Sequence, residues 1–379
     1  MNTPSTIADI FRRFGPVYRR LYGVRMPWRH LRVMHAIQAC RTAALGGHLY
    51  ECDQCGTQHY VFHSCRNRHC PTCQFLPTER WVDSRKTDLL PIPYFHVVFT
   101  IPDELHELFR SNQRRCYSIL FRAVSQTLLT LAADPKHLGG KIGLLAVLHT
   151  WTQKMAYHPH IHSIVTGGGL KGNNRWVAAR EDFFLPVRVM SRLFRGKILH
   201  LLEHDEDLPP IPPDQLSALY QKEWVVYCKP PFHKPEHVLA YLGRYTHRIA
   251  ISNSRIVATD TDRVTFRYRD PEKPDKSRIT HLHPLEFIRR FLTHVLPTRF
   301  VKIRYFGLLA NRSRKTLLEQ CRRLLGVLPP ETPEEKTWQQ LLIAKAGIDP
   351  TRCPVCSKGT LILKATLLSA ERAPPHILS

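Results

Sequence analysis

Cysteine spacing constrains this chain more than any other feature. Three Cys-x-x-Cys pairs occur, Cys52/Cys55, Cys70/Cys73 and Cys353/Cys356, among 11 cysteines in 379 residues. Random placement would give about 0.3 such pairs, so the spacing carries information. The first two knuckles follow each other closely in sequence and suit a tetrahedral Zn²⁺. Each pair approaches the ion from one tight turn, and thiolates match its softness. The expectation is one structural zinc site built by Cys52, Cys55, Cys70 and Cys73, with Gly56 and Pro71 favouring the turns. Cys40, His48, Cys65 and His69 lie close enough to substitute as ligands or to build a second site. Cys353-Pro-Val-Cys356 resembles half of a zinc ribbon and would need a distant partner. No apolar run approaches the ~18–20 residues of a membrane span, and the first residues lack the apolar stretch of a signal peptide. A cytoplasmic chain with no membrane partner is expected, and its cysteines are read as metal ligands or buried thiols rather than disulfides.

The chain carries 55 Lys+Arg against 31 Asp+Glu, a net charge of +24. The surplus is concentrated in two stretches. Residues 1–50 hold eight Arg and one Asp, and residues 241–330 hold 19 Lys+Arg against seven acids. A polyanionic partner follows, because basic side chains release counterions condensed on phosphates. Arg outnumbers Lys, and aromatics such as Phe11, Tyr18, Tyr22, Tyr268 and Tyr305 are interleaved, which favours nucleic acid over a merely solvated basic surface. Arg19 and Arg20 are candidate DNA contacts.

Hydrophobic periodicity places basic helices at 5–22 and 27–40, a helix at 77–90 and a strand at Tyr94–Thr100. A helix is expected over 103–132. Two strands, Ile142–Trp151 and His160–Val165, would be joined by a loop containing Pro159, with a turn at Gly167–Gly169. Helices are expected at 186–204, 213–223, 235–247, 285–295 and 311–325, with short strands near 249–258, 263–269, 278–283 and 299–305. This irregular alternation predicts an α+β fold with a largely antiparallel sheet. The expected division is a basic, zinc-binding domain over 1–76, a central domain over 77–327 and a Pro-rich appendage over 328–379.

Two motifs in the central region carry chemistry. In His158-Pro-His160-Ile-His162, alternate residues of a strand share a face, so His160 and His162 can chelate one ion while Ile161 enters the core. His149, closing the preceding strand, could supply a third nitrogen; His158, His96 and His247 are weaker candidates. In Tyr241-Leu-Gly-Arg-Tyr245, one helical turn separates two phenols on one face. Gly243 weakens that helix by about 1 kcal/mol relative to Ala, which suits a nucleophile that repositions better than a packing stripe. Arg244 and Arg248 would set phosphate-binding groups beside the hydroxyls.

These motifs, in this order and with the flanks YFHVVFTIP, LHTWTQKMAYHPHIHSIV, AYLGRYTHRIAISNSRI and EFIRRFLTHVLPTRFVKIRYFGLLANR, resemble the HUH rolling-circle transposases of the insertion-sequence ninety-one family, two-tyrosine type. The resemblance covers roughly residues 25 to 325. It implies an antiparallel HUH endonuclease core surrounded by helices, beside a small zinc-binding domain that binds or orients DNA. It implies that a divalent ion, Mg²⁺ or Mn²⁺, is held by His160 and His162, and that Tyr241 and Tyr245 are the nucleophiles. Their substrate would be single-stranded DNA at transposon ends and in the target. Attack leaves a 5′-phosphotyrosine and a free 3′-OH that primes displacement synthesis, which would bring in the host replication machinery. Transesterification conserves phosphodiester energy, in keeping with the lack of a G-x-x-x-x-G-K-[ST] loop. The competing expectations are a replication initiator or relaxase of the same chemistry, a zinc-dependent DNA-binding regulator, and a metallohydrolase with no covalent intermediate.

Overall fold

The computed structural model describes residues 6–172, 174–180, 182, 184–233, 237–238, 243, 250–270, 273, 276–330 and 335–369. The fold is α+β, with three antiparallel sheets.

The chain begins with α1 (Ile7–Tyr22) and α2 (Trp28–Ala39). Thr6 caps α1 in a capping box: its hydroxyl accepts from the Asp9 N–H at 3.2 Å, and the Asp9 carboxylate accepts from the Thr6 N–H at 2.9 Å. Ile7, Ile10, Phe11 and Tyr18 form the buried stripe of α1, and Val33, Met34 and Ile37 that of α2. Strands β1 (Gly47–Cys52) and β2 (Gln58–Phe62) follow, then α3 (Phe75–Arg85).

The central sheet is assembled from β3 (Tyr94–Thr100), β4 (Lys141–Trp151), β5 (Tyr157–Lys171), β6 (Arg175–Ala178), β7 (Val226–Phe232) and β11 (Ile303–Gly307), in the order β11-β4-β5-β3-β7 with β6 on β5. One face packs on α5 (Gln113–Ala133) and α6 (Val187–Glu203), burying Phe99, Leu148, Ile161, Val165, Phe121 and Phe194. By length and composition alone α5 could cross a membrane, but 67% of its most apolar window is buried here, against the sheet. Short α4 (His106–Ser111) precedes it, and α7 (Pro213–Gln221) leads into β7.

A second core joins the N-terminal helices to the sheet of β8 (Ile256–Thr259), β9 (Val264–Arg269) and β10 (Ser277–Leu282) and to α8 (Pro284–Thr293). Phe11 and Phe291 meet edge to face at 5.2 Å. The Ile7 N–H donates to Asn253 Oδ1, and the Asn253 amide donates to Thr72 Oγ1. The boundary expected at 76/77 therefore runs beside a core shared between the N-terminal helices and residues 250–295. Phe291→Ala should destabilise the protein by about 3–5 kcal/mol. Urea denaturation with hydrogen exchange should show α1 losing protection first, and a loss below about 1 kcal/mol would mean that this ring does not join the two parts.

Several local expectations differ from the structure. The helix expected over 103–132 divides at Asn112 into α4 and α5. Gly167–Gly169 do not turn the chain but continue β5, and a Cβ at Gly167 would lie 2.6 Å from the Pro93 carbonyl oxygen. The glycines permit close approach of neighbouring backbone. Pro159 is also within β5, beside the register slip between His149 and Trp151, where a missing N–H is tolerated. After α9 (Arg314–Leu325), the C-terminal stretch forms α10 (Trp338–Ala346) and β12 (Leu361–Leu367). Strand β12 pairs along β1, in the order β12-β1-β2, so the expected appendage completes the N-terminal sheet.

Candidate active site and metal centres

Strand β5 lies between β4 and β3, and its pleat sends Ile161 into the core while His160 and His162 stand on the opposite face. His149 of β4 is in register with His160. One ligand nitrogen from each of His149, His160 and His162 lies within 4.8 Å of the others. Three imidazoles so placed fit a divalent cation with coordination positions left for substrate oxygen and water.

The hydrogen bonds define which nitrogens face the site. His160 Nδ1 lies 2.7 Å from the His158 carbonyl, which can only accept, so Nδ1 carries the proton and Nε2 is free to ligate. His160 Nε2 and His162 Nε2 are 3.0 Å apart. His162 Nδ1 meets Nε2 of the buried His96 at 2.9 Å, with the two rings stacked. His96 thus supports the His162 ring from behind, the kind of contact that fixes tautomer and orientation where a histidine holds a metal. Its position on β3, one strand from His162, is the signal by which the sequence could have given it that part. His158, whose neighbour is Pro159, turns instead toward His106 and Asp103.

Burial favours the neutral form of His160 and His162, the form that binds metal. It lowers His160 and His294 to about 4 and His96 and His69 to about 3, and takes His162 well below the usual range. Because the folded values lie below the unfolded ~6.5, the unfolded chain takes up protons first. The stability is fully present above about pH 6.5 and is lost progressively as pH falls through the folded values, about 4 for His160 and His294 and about 3 for His96 and His69. Protein that keeps its zinc but has no added Mg²⁺ or Mn²⁺ should therefore melt at a lower temperature at pH 5 than at pH 7.5. An unchanged melting temperature would show that the rings are solvated.

The cysteines are partnered differently from expectation. Cys70 and Cys73 do not join Cys52 and Cys55; they meet Cys40 and Cys65, with all four sulfurs within 4.8 Å of one another. Cys73 Sγ lies 3.4 Å from Cys40 Sγ and 3.6 Å from Cys65 Sγ. Four sulfurs about 2.3 Å from one zinc would stand about 3.8 Å apart, so the set fits the ion. Neighbouring thiols, Cys40 first, hold Cys73 below the usual thiol range and push Cys65 and Cys70 above it, and the thiolate is the ligating form. Cys52 and Cys55 meet Cys353 and Cys356 instead. The short 70–73 turn leads into α3 beside the second core, whereas β1 carries Cys52 to the edge facing β12. His69 and His48 belong to neither set: His69 Nε2 accepts the Leu296 N–H at 3.2 Å, and His48 Nε2 lies 3.2 Å from His63 Nε2.

Arg20 is exposed, whereas Arg19 is half-buried and donates to Gln38 Oε1 of α2 at 2.6 Å. Tyr241, Tyr245, Arg244 and Arg248 lie outside the described residues, as does His247. Near them, Val238 is buried in the apolar cluster that includes Val147 and Ile164, on the face of the central sheet that bears the histidines.

Comparison with known proteins agrees with this arrangement. Residues 10–101 match a family described as "Transposase zinc-binding domain", and residues 143–316 match one described as "Putative transposase"; Cys353 and Cys356 lie outside both. The chain is 46% identical over 374 residues to "Putative transposase y4qJ" of Sinorhizobium fredii (strain NBRC 101917 / NGR234), covering 94% of each. It is 28% identical over 335 residues to "Transposase for insertion sequence element IS801" of Pseudomonas savastanoi pv. phaseolicola, covering 84% of this chain and 79% of the relative. No solved structure matches. The zinc-binding match and the cysteine sets together support structural Zn²⁺. With a relative this similar along nearly its whole length and with both family matches in place, the chain belongs to the transposases of the insertion-sequence ninety-one family.

Proposed function

We propose that this transposase nicks and rejoins single-stranded DNA by tyrosine transesterification, in rolling-circle transposition. The observation that carries the reading is the convergence of His149, His160 and His162 on one sheet face, with their ring nitrogens within 4.8 Å. Mg²⁺ or Mn²⁺ held there would draw charge from the scissile phosphate and so stabilise the developing negative charge.

The protein's own residues account for the rest. A phenol of pKa ~10 is a weak nucleophile at neutral pH, so Tyr241 or Tyr245 must lose its proton as it attacks. The phenolic oxygen bonds to phosphorus, the P–O3′ bond breaks, and the leaving 3′ oxygen takes up a proton. The products are a 5′-phosphotyrosine and a free 3′-OH. The second tyrosine serves the other strand of the exchange, at the target, and the 3′-OH is available to the host replication machinery. Arg244 and Arg248 clamp the reacting phosphate. The N-terminal helices hold the flanking strand through exposed Arg13, Arg20, Arg25 and Arg32 and through Trp28, which is 72% exposed and available for base stacking. The setting is the cytoplasm, at the nucleoid when DNA is bound.

Labelled single-stranded oligonucleotides from the ends of the element, incubated with protein and Mn²⁺, should give a protein–DNA adduct that survives denaturant. Binding without cleavage would make the protein a DNA-binding regulator, and cleavage without an adduct would make it a hydrolase.

A further inference from the structure

We infer that Cys52, Cys55, Cys353 and Cys356 form a second zinc site, a ribbon split across the chain, whose ion fastens the C-terminal segment to the N-terminal sheet. The two halves come from opposite ends of the sequence, yet their local geometry repeats. In the first knuckle the Gly56 N–H donates to the Cys52 carbonyl at 3.0 Å; in the second the Ser357 N–H donates to the Cys353 carbonyl at 3.0 Å. Gly56 and Ser357 both have a positive φ, 68° and 57°. A turn of this kind after each pair lets both sulfurs face one point. Cys52 Sγ lies 3.6 Å from Cys356 Sγ, and Cys55 Sγ lies 3.8 Å from Cys353 Sγ. These are the edges of a sulfur tetrahedron around zinc, about 3.8 Å, and are too long for a disulfide at about 2.05 Å.

The surrounding backbone is fitted to the closure. The Gln54 N–H approaches Cys52 Sγ at 3.5 Å and the Gly359 N–H approaches Cys356 Sγ at 3.3 Å, so each knuckle offers its sulfur a donor that favours thiolate. Position 359 must be glycine, since a Cβ there would overlap Cys52 Sγ. Across the same junction the Asp53 N–H donates to the Thr360 carbonyl, and the Thr360 N–H donates to the Asp53 carboxylate at 2.8 Å.

Apart from the pairing of β12 with β1, the described residues of the C-terminal segment bury little apolar surface. Helix α10 buries only Leu341 among its residues, and β12 leaves Ile362 and Leu363 about half exposed. So small an apolar contribution does not form a core of its own, and short segments of this kind are commonly secured by a metal. An ion that closes so long a loop also removes much freedom from the unfolded chain.

The test is metal content with local hydrogen exchange on the full-length chain. The parent protein should hold two zinc ions per chain in an all-sulfur shell by X-ray absorption. Cys353→Ser plus Cys356→Ser should hold one, with rapid exchange in β12 and unchanged protection in α1 and α2. One zinc in the parent, or two in the double variant, would overturn the inference. If the double variant fails to fold, Gly359→Val provides the second test. It should lose one zinc with the cysteines intact, and retention of both ions would count against the closure.

Discussion

A chain carrying both His160→Ala and His162→Ala will bind single-stranded DNA as the parent does and cleave it at least about a thousand-fold more slowly. Two of the three converging imidazoles are then gone, and His149 alone cannot hold a divalent ion against water. Charge neutralisation by a bound metal contributes several kcal/mol to such a transition state, and each ~1.4 kcal/mol is a factor of ten in rate. Folding should tolerate the change. Both side chains stand on the face opposite Ile161 and the α5/α6 core, and the backbone pairing of β5 with β3 and β4 does not depend on them. Binding should persist because the exposed arginines of α1 and α2 lie on other elements. Gel-shift titration and cleavage assays on the same preparations separate the two effects. Cleavage near the parent rate would show that these histidines do not hold the catalytic ion.

Cys70→Ser has the largest expected effect on stability. Cys70 and Cys40 are both buried, within the core that also contains Phe11, Ile37, Phe287 and Phe291. Structural zinc in a four-ligand site is worth about 10–16 kcal/mol, comparable to the whole ~5–15 kcal/mol stability of a domain. Loss of the ion should abolish cooperative melting of the N-terminal helices and of the 250–295 region packed on them, with one zinc lost per chain. Unchanged zinc content and an unchanged melting curve would contradict the assignment of this site.

The sequence reveals what depends on local periodicity and hides what depends on distant pairing. Alternation along His160-Ile-His162 places Ile161 in the core and the two histidines on the opposite face, and the short spacing from His149 to His160 brings those two into register across the β4–β5 pair. The cysteine sets are legible only in part: proximity in sequence admits Cys40 and Cys65 as ligands of a second site, but Cys-x-x-Cys reports only a local knuckle. Which knuckles meet is decided by β12 pairing with β1, and no short-range pattern encodes that contact. Gly167–Gly169 and Pro159 carry turn chemistry in sequence. Within the sheet the same residues serve close backbone approach and a slip in register, because tertiary packing overrides local preference. Arg19 adds a contact that charge patterning does not reveal: one N–H of its guanidinium donates to Gln38 of α2.

Mass spectrometry of the denatured adduct decides whether a tyrosine becomes covalently joined to DNA. After nuclease trimming and proteolysis, the residual nucleotide should be found on Tyr241 or Tyr245, and Tyr241→Phe plus Tyr245→Phe should yield no adduct while still binding DNA. A nucleotide on any other residue, or an adduct that persists in the double variant, would contradict the account.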